Sequence, residues 1–186
     1  MGKVISLFLL ASLLLLPATL VIGFSYLGNA HPLENKTVAE PPFLSQSSNS
    51  IEVLFFGYVG CESICPTSLI KLAKVFKEID QKYPDSKTGA VFVDIGEQVS
   101  ADLSNRYSRQ FSEDIRGVTL AKDDMKQVLR DFNVRLNKPN ADKPTIFHTD
   151  HFFVLQQKQN EWKVRRVLSN NIEKEAIQLV LEQAIQ

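Results

Sequence analysis

The sequence predicts an α/β domain in which helices cover a central mixed sheet. Short apolar runs of strand length alternate with longer segments whose apolar residues recur at helical spacing. With 186 residues, 44% of them hydrophobic, the chain is long enough to bury a core of its own. Its only two cysteines lie four positions apart, directly after the first apolar run of strand length.

The predicted domain begins with a strand, a helix and a second strand. Ile51 to Tyr58 is nearly all apolar, which is typical of a strand buried on both faces of a sheet. Pro66 suits the first turn of the following helix, whose apolar positions recur at helical spacing up to Tyr83. A second apolar strand is predicted from Ala90 to Ile95.

Two helices and an antiparallel hairpin are predicted next. The helices run from Ser100 to Phe111, with Ser100 as the N-cap, and from Lys122 to Phe132. The hairpin strands run from Thr145 to Gln156 and from Glu161 to Leu168, with a short polar turn between them.

A last helix closes the predicted domain. Asn170 and Glu173 have the spacing of a capping box, and the helix that they begin is predicted to end at Ile185. The resulting order is β-α-β-α-α-β-β-α, with a dithiol after the first core strand. This is a thioredoxin-like arrangement, and we expect it to cover residues 51–186.

The first 30 residues predict a membrane segment. Val4 to Phe24 is apolar apart from a few hydroxyl residues and one proline, and 21 residues just span a hydrocarbon core of about 30 Å. Residues 28–30 (GNA) form a small-x-small triplet, so a cleaved signal peptide is the alternative. We expect a retained anchor in the cell inner membrane, and either outcome places the domain outside the cytoplasm, on the periplasmic or extracytoplasmic side. Residues 31–50, rich in proline and serine, predict a flexible tether.

The charge balance argues against nucleic acid as a partner. Lysine plus arginine and aspartate plus glutamate both number 21, so the formal net charge is zero. The sequence has no long block of like charge that would create a local basic field. Without such a field we expect no nucleic-acid binding.

Cys61 and Cys65 are the residues at which chemistry is expected. They lie at a strand-to-helix corner, where unpaired N–H groups and the helix dipole favour thiolate, the form that attacks disulfides and binds soft metals. A structural disulfide is the alternative in an oxidising compartment, but so short a loop gains little stability from closure. We therefore expect a redox disulfide that forms and breaks between Cys61 and Cys65.

Three segments carry a resemblance to a known family. Residues 55–69 (FFGYVGCESICPTSL) resemble the central motif of the Sco/SenC family. Residues 148–153 (HTDHFF) are similar to that family's His-Ser/Thr-x-x-x-aromatic segment, with His148 in the place of the ligand. Residues 115–119 (IRGVT) resemble the family's segment before its next helix. The similarity covers residues 51–186.

This resemblance implies a thioredoxin-like, membrane-tethered, copper-binding protein that helps to assemble the copper centre of cytochrome c oxidase. It makes Cys61, Cys65 and His148 the metal ligands, and a copper-receiving protein, such as a cytochrome c oxidase subunit, the partner. Two thiolates and one imidazole form a soft three-coordinate site, which suits Cu(I) better than Cu(II). His151 would complete a closed zinc site, but it faces away from His148 if their strand is regular. Oxidation to the disulfide would release the metal, so the same switch could serve redox sensing.

Two classes of enzyme are the alternatives. A thiol–disulfide oxidoreductase acting on a partner's cysteines would use the same dithiol, although three residues separate the cysteines here and thioredoxins usually have two. In that class, Pro144 would face the thiols. A peroxidase is suggested by residues 65–69 (CPTSL), which resemble the peroxiredoxin motif, but Glu62 stands where that motif has threonine. We assign no catalytic residue and favour a metallochaperone over an enzyme.

Overall fold

The structure is a computed structural model that describes residues 31–96, 99–137 and 146–186. The chain divides into two units, Met1–Pro32 and Leu33–Gln186, and the fold described here is that of the second unit. Its helices in the described ranges are α1 (Pro42–Ser45), α2 (Ile64–Lys82), α3 (Ala101–Arg109), α4 (Lys122–Asp131) and α5 (Lys174–Ile185). Its strands there are β1 (Ile51–Gly57), β2 (Thr88–Asp94), β3 (Ile115–Val118), β4 (Leu136–Asn137), β5 (Phe147–His148), β6 (Phe152–Lys158) and β7 (Glu161–Leu168).

Five of these strands form one mixed sheet in the order β3-β2-β1-β6-β7. The strands β1, β2 and β3 run parallel, with Val53 opposite Ala90 and Ala90 opposite Ile115. The strand β6 pairs antiparallel with β1, and β7 pairs antiparallel with β6. The strands β4 and β5 form a separate antiparallel ladder. The predicted α/β architecture with a central mixed sheet is confirmed.

The strand β1 lies in the middle of the sheet and is buried along its whole length. Val53 and Phe55 belong to a core that also contains apolar residues of α2 and α5, which we call the α2-side core. Leu54 and Phe56 belong to a second core with residues of α1 and α4, the α4-side core. Successive side chains of a strand point to opposite faces, so neighbouring residues of β1 enter different cores.

The predicted strands differ from the structure at two places. The strand β3 was not predicted, because its four residues are too short a run to show a period, and its parallel pairing with β2 is a tertiary contact. The strand predicted over residues 145–156 is wrong in its extent. The described backbone leaves strand geometry at residues 149–151 and resumes it in β6, which continues to Lys158.

One of the two predicted helix caps is confirmed. The side chain of Ser100 accepts a hydrogen bond from the N–H of Leu103 and caps α3. The predicted capping box before α5 is wrong, because Glu173 is the N-cap and makes no side-chain capping bond. Asn170 instead accepts a hydrogen bond from the hydroxyl of Ser68 at 2.7 Å, which ties the loop before α5 to α2.

Residues 33–50 pack on the sheet, whereas the sequence predicted a flexible tether over residues 31–50. Val38, Phe43 and Leu44 are buried in the α4-side core. The N–H of Val38 donates to the carbonyl of Trp162 at 3.0 Å, which joins this segment to β7 at the edge of the sheet. The segment is rich in proline and serine, and this composition led to the prediction of a flexible tether. The few apolar side chains that anchor the segment were given too little weight.

No helix within the described ranges is long and apolar enough to cross a membrane. The predicted anchor, Val4 to Phe24, lies outside the residues that the structure describes. The anchor and the periplasmic placement of the domain therefore stay predictions of the sequence.

Candidate metal centre

The two cysteines lie at the corner between β1 and α2, as predicted. The strand ends at Gly57 and the helix begins at Ile64, so Cys61 lies in the connecting loop and Cys65 in the first helical turn. Cys61 is partly exposed and Cys65 is buried, and both are free thiols. Cys65 belongs to the α2-side core and Cys61 packs against it. The sulfur of Cys61 is therefore accessible to a partner, whereas the sulfur of Cys65 is shielded from solvent.

The start of α2 lowers the pKa of Cys61. The backbone N–H of Cys65 donates to Cys61 Sγ at 3.5 Å. Burial is the largest single influence and acts upward, but hydrogen bonds from Cys65 and from the N–H groups of Ser63 and Ile64 together outweigh it. The pKa of Cys61 therefore lies below the ordinary thiol value, and Cys61 is the sulfur that more readily becomes a thiolate.

Cys65 has the opposite character. Burial raises the pKa of Cys65 far above the ordinary thiol value, and its hydrogen bond with the Cys61 side chain acts in the same direction. The negative charges of Cys61 and Asp94 add to the shift. The dithiol is therefore asymmetric: Cys61 is suited to make the first bond to a metal or a partner sulfur, and Cys65 to make the second.

A buried polar cluster lies near Cys65, at the C-terminal end of β2. Asp94 is 1% exposed, and its Oδ1 accepts the N–H of Gly96 at 2.8 Å. Its Oδ2 and the hydroxyls of Ser104 and Tyr107 are buried and make no hydrogen bond of standard geometry among the described residues, although the Ser104 hydroxyl and the N–H of Val59 lie close enough to stabilise the carboxylate. Burial raises the pKa of Asp94, and it raises the pKa of Tyr107 to about 12, with a smaller contribution from the charge of Cys65. Burial therefore makes the charged form of the Asp94 carboxyl less favourable than it is in water.

His148 lies beside the other core. It belongs to β5, opposite Leu136 of β4, and Leu136 packs against the α4-side core. Its Nδ1 lies 2.8 Å from the carbonyl oxygen of Thr149. A carbonyl oxygen can only accept, so Nδ1 carries the hydrogen of this bond. In the neutral ring Nε2 then has the available lone pair, and this nitrogen is the one that could bind a metal.

Tyr58 lies between the two parts of the predicted site. Its side chain packs against the α4-side core, and its ring meets the ring of His148 edge-on, with 6.3 Å between centroids and an interplanar angle of 80°. Its carbonyl accepts the N–H of Cys61 at 3.2 Å. Among the described residues, no three His, Cys, Asp or Glu side chains are grouped closely enough to hold a metal ion. The structure thus brings Cys61 and Cys65 together and leaves His148 apart from them.

The other residues discussed from the sequence have simpler positions. His151 meets Phe153 edge-on, with 6.4 Å between ring centroids, and the predicted alternation with His148 does not apply because the backbone between them is not a strand. Glu62 is exposed in the loop before α2. Pro144 lies outside the described residues. Tyr58 was not predicted as a site residue, although its place at the end of a strand and three residues before Cys61 was a usable signal.

A comparison with models of known families identifies the family of this chain. A model of the SCO1/SenC family matches residues 44–186. The chain belongs to the SCO1/SenC family. The resemblance inferred from the dithiol and histidine segments is confirmed, and the match begins before β1, within the segment that packs on the sheet.

A mitochondrial protein is similar to this chain over part of its length. The chain is 28% identical over 104 residues to the mitochondrial SCO2 homologue of Danio rerio, a match that covers 55% of this chain and 37% of that protein. The chain therefore matches little more than a third of that relative's length.

Solved structures confirm the thioredoxin-like Sco fold. The apo Sco1 protein of Thermus thermophilus has a TM-score of 0.65 at 23% identity, covering 83% of this chain and 94% of that chain. Arabidopsis thaliana ScoI, solved with copper bound, has a TM-score of 0.64 at 21% identity, covering 73% of this chain and 84% of that chain. At these identities the likeness establishes the fold of this SCO1/SenC domain.

Proposed function

We propose that this protein is a copper chaperone anchored in the inner membrane, with its domain on the periplasmic side. Its cargo is Cu(I), bound by the sulfurs of Cys61 and Cys65 and by Nε2 of His148. It delivers this copper to a subunit of cytochrome c oxidase. The observation that carries the proposal is the asymmetric dithiol at the start of α2, in which a partly exposed sulfur of lowered pKa adjoins a buried one.

The donor set supports Cu(I) as the cargo. Two thiolates and an imidazole are soft ligands, and a site of only three ligands leaves room for a sulfur of the receiving protein to enter. Membership of the SCO1/SenC family supports copper as the metal, since a relative from Arabidopsis thaliana was solved with copper bound. The family resemblance likewise supports cytochrome c oxidase as the recipient.

The proposal requires His148 to approach the dithiol. In the described part of the chain, β5 is joined to β4 by two residue pairs, Leu136 with His148 and Asn137 with Phe147. So short a ladder is held by few hydrogen bonds, and it is displaced at lower cost than the central sheet. In the copper-bound protein, β5 shifts while α2 keeps Cys61 and Cys65 in place. Copper binding requires deprotonated sulfurs, so it releases protons from the thiols.

The same asymmetry favours a second candidate, a thiol–disulfide oxidoreductase or redox sensor. The Cys61 thiolate attacks a partner's disulfide, which forms a mixed disulfide and releases one partner thiolate. Cys65 then loses its proton and attacks Cys61 Sγ, so the partner leaves with two reduced thiols and the Cys61–Cys65 disulfide remains. Two electrons pass from this dithiol to the partner. A partly exposed thiol of lowered pKa beside a buried one suits these two roles.

Anaerobic Cu(I) titration of the reduced full chain against a colorimetric chelator tests the proposal. We expect about one tightly held equivalent, as a single site with three ligands requires. Cys61→Ser and Cys65→Ser should each abolish tight binding, because one sulfur and one imidazole cannot compete with the chelator. His148→Ala should weaken binding by roughly tenfold or more. His151→Ala is the matched control and should bind as the unmodified protein does.

Two results would overturn the proposal. Cysteine variants that hold copper as tightly as the unmodified protein would place the site elsewhere. Rapid catalytic reduction of insulin disulfides by the metal-free protein would favour the oxidoreductase. The membrane placement has a separate test, in which the full chain should resist carbonate extraction from membranes and its domain should be cleaved by protease added to the periplasm.

A further inference from the structure

Tyr58 occupies the boundary between the two cores of the domain. Gly57 ends β1 on the side of Cys65, and the side chain of Tyr58 enters the α4-side core, where it meets the ring of His148. A Cβ atom placed on Gly96 would lie 3.5 Å from the Cβ of Tyr58, so the chain after β2 also confines this side chain. Tyr58 therefore contacts the predicted imidazole ligand with its ring, and the backbone at Gly96 lies close to its Cβ.

Tyr58 is also bound to the thiol side of the site. Its carbonyl accepts the N–H of Cys61 at 3.2 Å, which closes the turn that carries Cys61. Tyr58 therefore belongs to the turn that positions the partly exposed sulfur of the pair.

We infer that Tyr58 is a positioning residue whose ring spaces His148 from the Cys61–Cys65 dithiol in the metal-free protein. The inference rests on the proposed function, since it takes His148 as the third ligand. The ring meets His148 edge-on on one side, and the Tyr58 carbonyl accepts the N–H of Cys61 on the other. For His148 to come within bonding distance of the same metal as both sulfurs, this ring has to rotate out of the gap. Tyr58 therefore sets how readily the third ligand joins the first two.

A disulfide trap without copper tests this spacing. In a Cys65→Ser, His148→Cys background, oxidised glutathione can link Cys61 to the new thiol at position 148 only when the two positions approach each other. The rate of this link, followed by mass spectrometry, reports the approach directly. We expect Tyr58→Ala to raise the rate several-fold. Tyr58→Phe keeps the ring, and we expect it to leave the rate unchanged.

The control is Tyr83→Ala, which removes an equally half-buried ring at the far end of α2 and should leave the rate unchanged. The inference is overturned if the disulfide forms no faster in Tyr58→Ala than in the parent protein that keeps Tyr58. It is also overturned if the disulfide forms as fast in Tyr58→Phe as in Tyr58→Ala. An equal acceleration by Tyr83→Ala would also overturn it, since general loosening would then explain the effect. Because no copper is present, these outcomes are independent of the chelator titration that tests the proposed function.

Discussion

A Cβ atom added at Gly57 would lie 2.8 Å from Sγ of Cys65. It would also lie 2.6 Å from the ring of Phe92 on the neighbouring strand β2. Real side-chain carbons do not approach other atoms so closely, so the last residue of β1 has to lack a side chain for Cys65 to pack where it does. The depth of the buried sulfur is thus fixed by the strand as well as by the helix.

The first prediction follows from this contact. Gly57→Ala should lower the free energy of unfolding by about 2 kcal/mol, because Phe92 and Cys65 both have to shift. It should also make Cys65 reactive toward iodoacetamide in the folded, reduced protein. Urea unfolding and peptide mapping of the alkylated protein measure the two effects.

Gly60→Ala is the control for this prediction. Gly60 has φ of +96°, where a side chain strains the backbone, but nothing lies within 4 Å of an added Cβ. The variant should cost about 1 kcal/mol of stability through strain alone and leave Cys65 as unreactive as before. Equal effects of both substitutions on Cys65 reactivity would contradict the assigned contact.

The second prediction concerns the order in which the thiols react. In the metal-free, reduced protein, iodoacetamide at neutral pH should label Cys61 first, because its pKa is lowered and its sulfur is partly exposed. Cys65 should stay unlabelled, because burial raises its pKa and blocks access. The labelling rate of Cys61 should rise at a lower pH than that of a free thiol. Denatured protein is the control, in which both cysteines should react alike, and equal labelling of the folded protein would refute the asymmetry.

The third prediction concerns the buried carboxylate of Glu52. Glu52 is fully buried in β1 and accepts a hydrogen bond from Arg116 Nη2 at 3.3 Å, and the same nitrogen donates to the carbonyl of Phe43 in α1. Arg116→Met should cost about 3 kcal/mol, because the buried carboxyl of Glu52 loses its cationic partner and keeps only the neutral donors of Ser47 and Asn49. Arg109→Met breaks the exposed pair with Glu113 and should cost less than about 1 kcal/mol. Similar losses in chemical denaturation of the two variants would show that the buried pair contributes no more than a surface pair.

The fourth prediction uses the pH dependence of stability. The folded state raises the pKa of Asp94, mainly through burial, so the folded protein keeps this proton at pH values where the unfolded chain has lost it. Above the unfolded pKa, folding therefore becomes less favourable as the pH rises. Asp94→Asn should stabilise the domain by on the order of 1 kcal/mol at pH 7, and the gain should vanish near about pH 2, where both states are protonated.

Thermal or urea unfolding at the two pH values checks this prediction. The exposed Asp85 offers the control, since Asp85→Asn should change stability little and equally at both pH values. A loss of stability in Asp94→Asn at pH 7 would mean that the folded protein favours the ionised carboxyl.

Elements with strong local signals were predictable from the sequence. The strand β1 is a continuous apolar run, and α2 repeats apolar residues at helical spacing over 19 residues, so neither needs tertiary context to be recognised. The short strand β3 and the four-residue helix α1 carry too few residues for a period, and they exist because β2 and the α4-side core offer them partners. Composition misled the prediction for residues 33–50, since a few buried side chains suffice to hold a polar segment.

The candidate site also has one part that the local sequence predicts and one part that it does not. Cys61 and Cys65 are close because a strand-to-helix corner brings them together, and this corner is visible in the local sequence. The separation of His148 from them depends on which core each strand end faces, and Tyr58 lies at that boundary. Such a relationship between distant segments comes from the packing of the sheet and has no local pattern.

If residues 4–24 are the anchor that the sequence predicts, the packed segment that begins at Leu33 leaves only a short linker after them. In the sequence, eight residues (25–32) separate that predicted anchor from Leu33. Fully extended, these residues span at most about 28 Å. A flexible linker that continued to residue 50 would span roughly three times that distance. The proposed transfer of copper would then take place close to the lipid headgroups. An acceptor protein would have to present its own metal ligands at the same distance from the membrane surface.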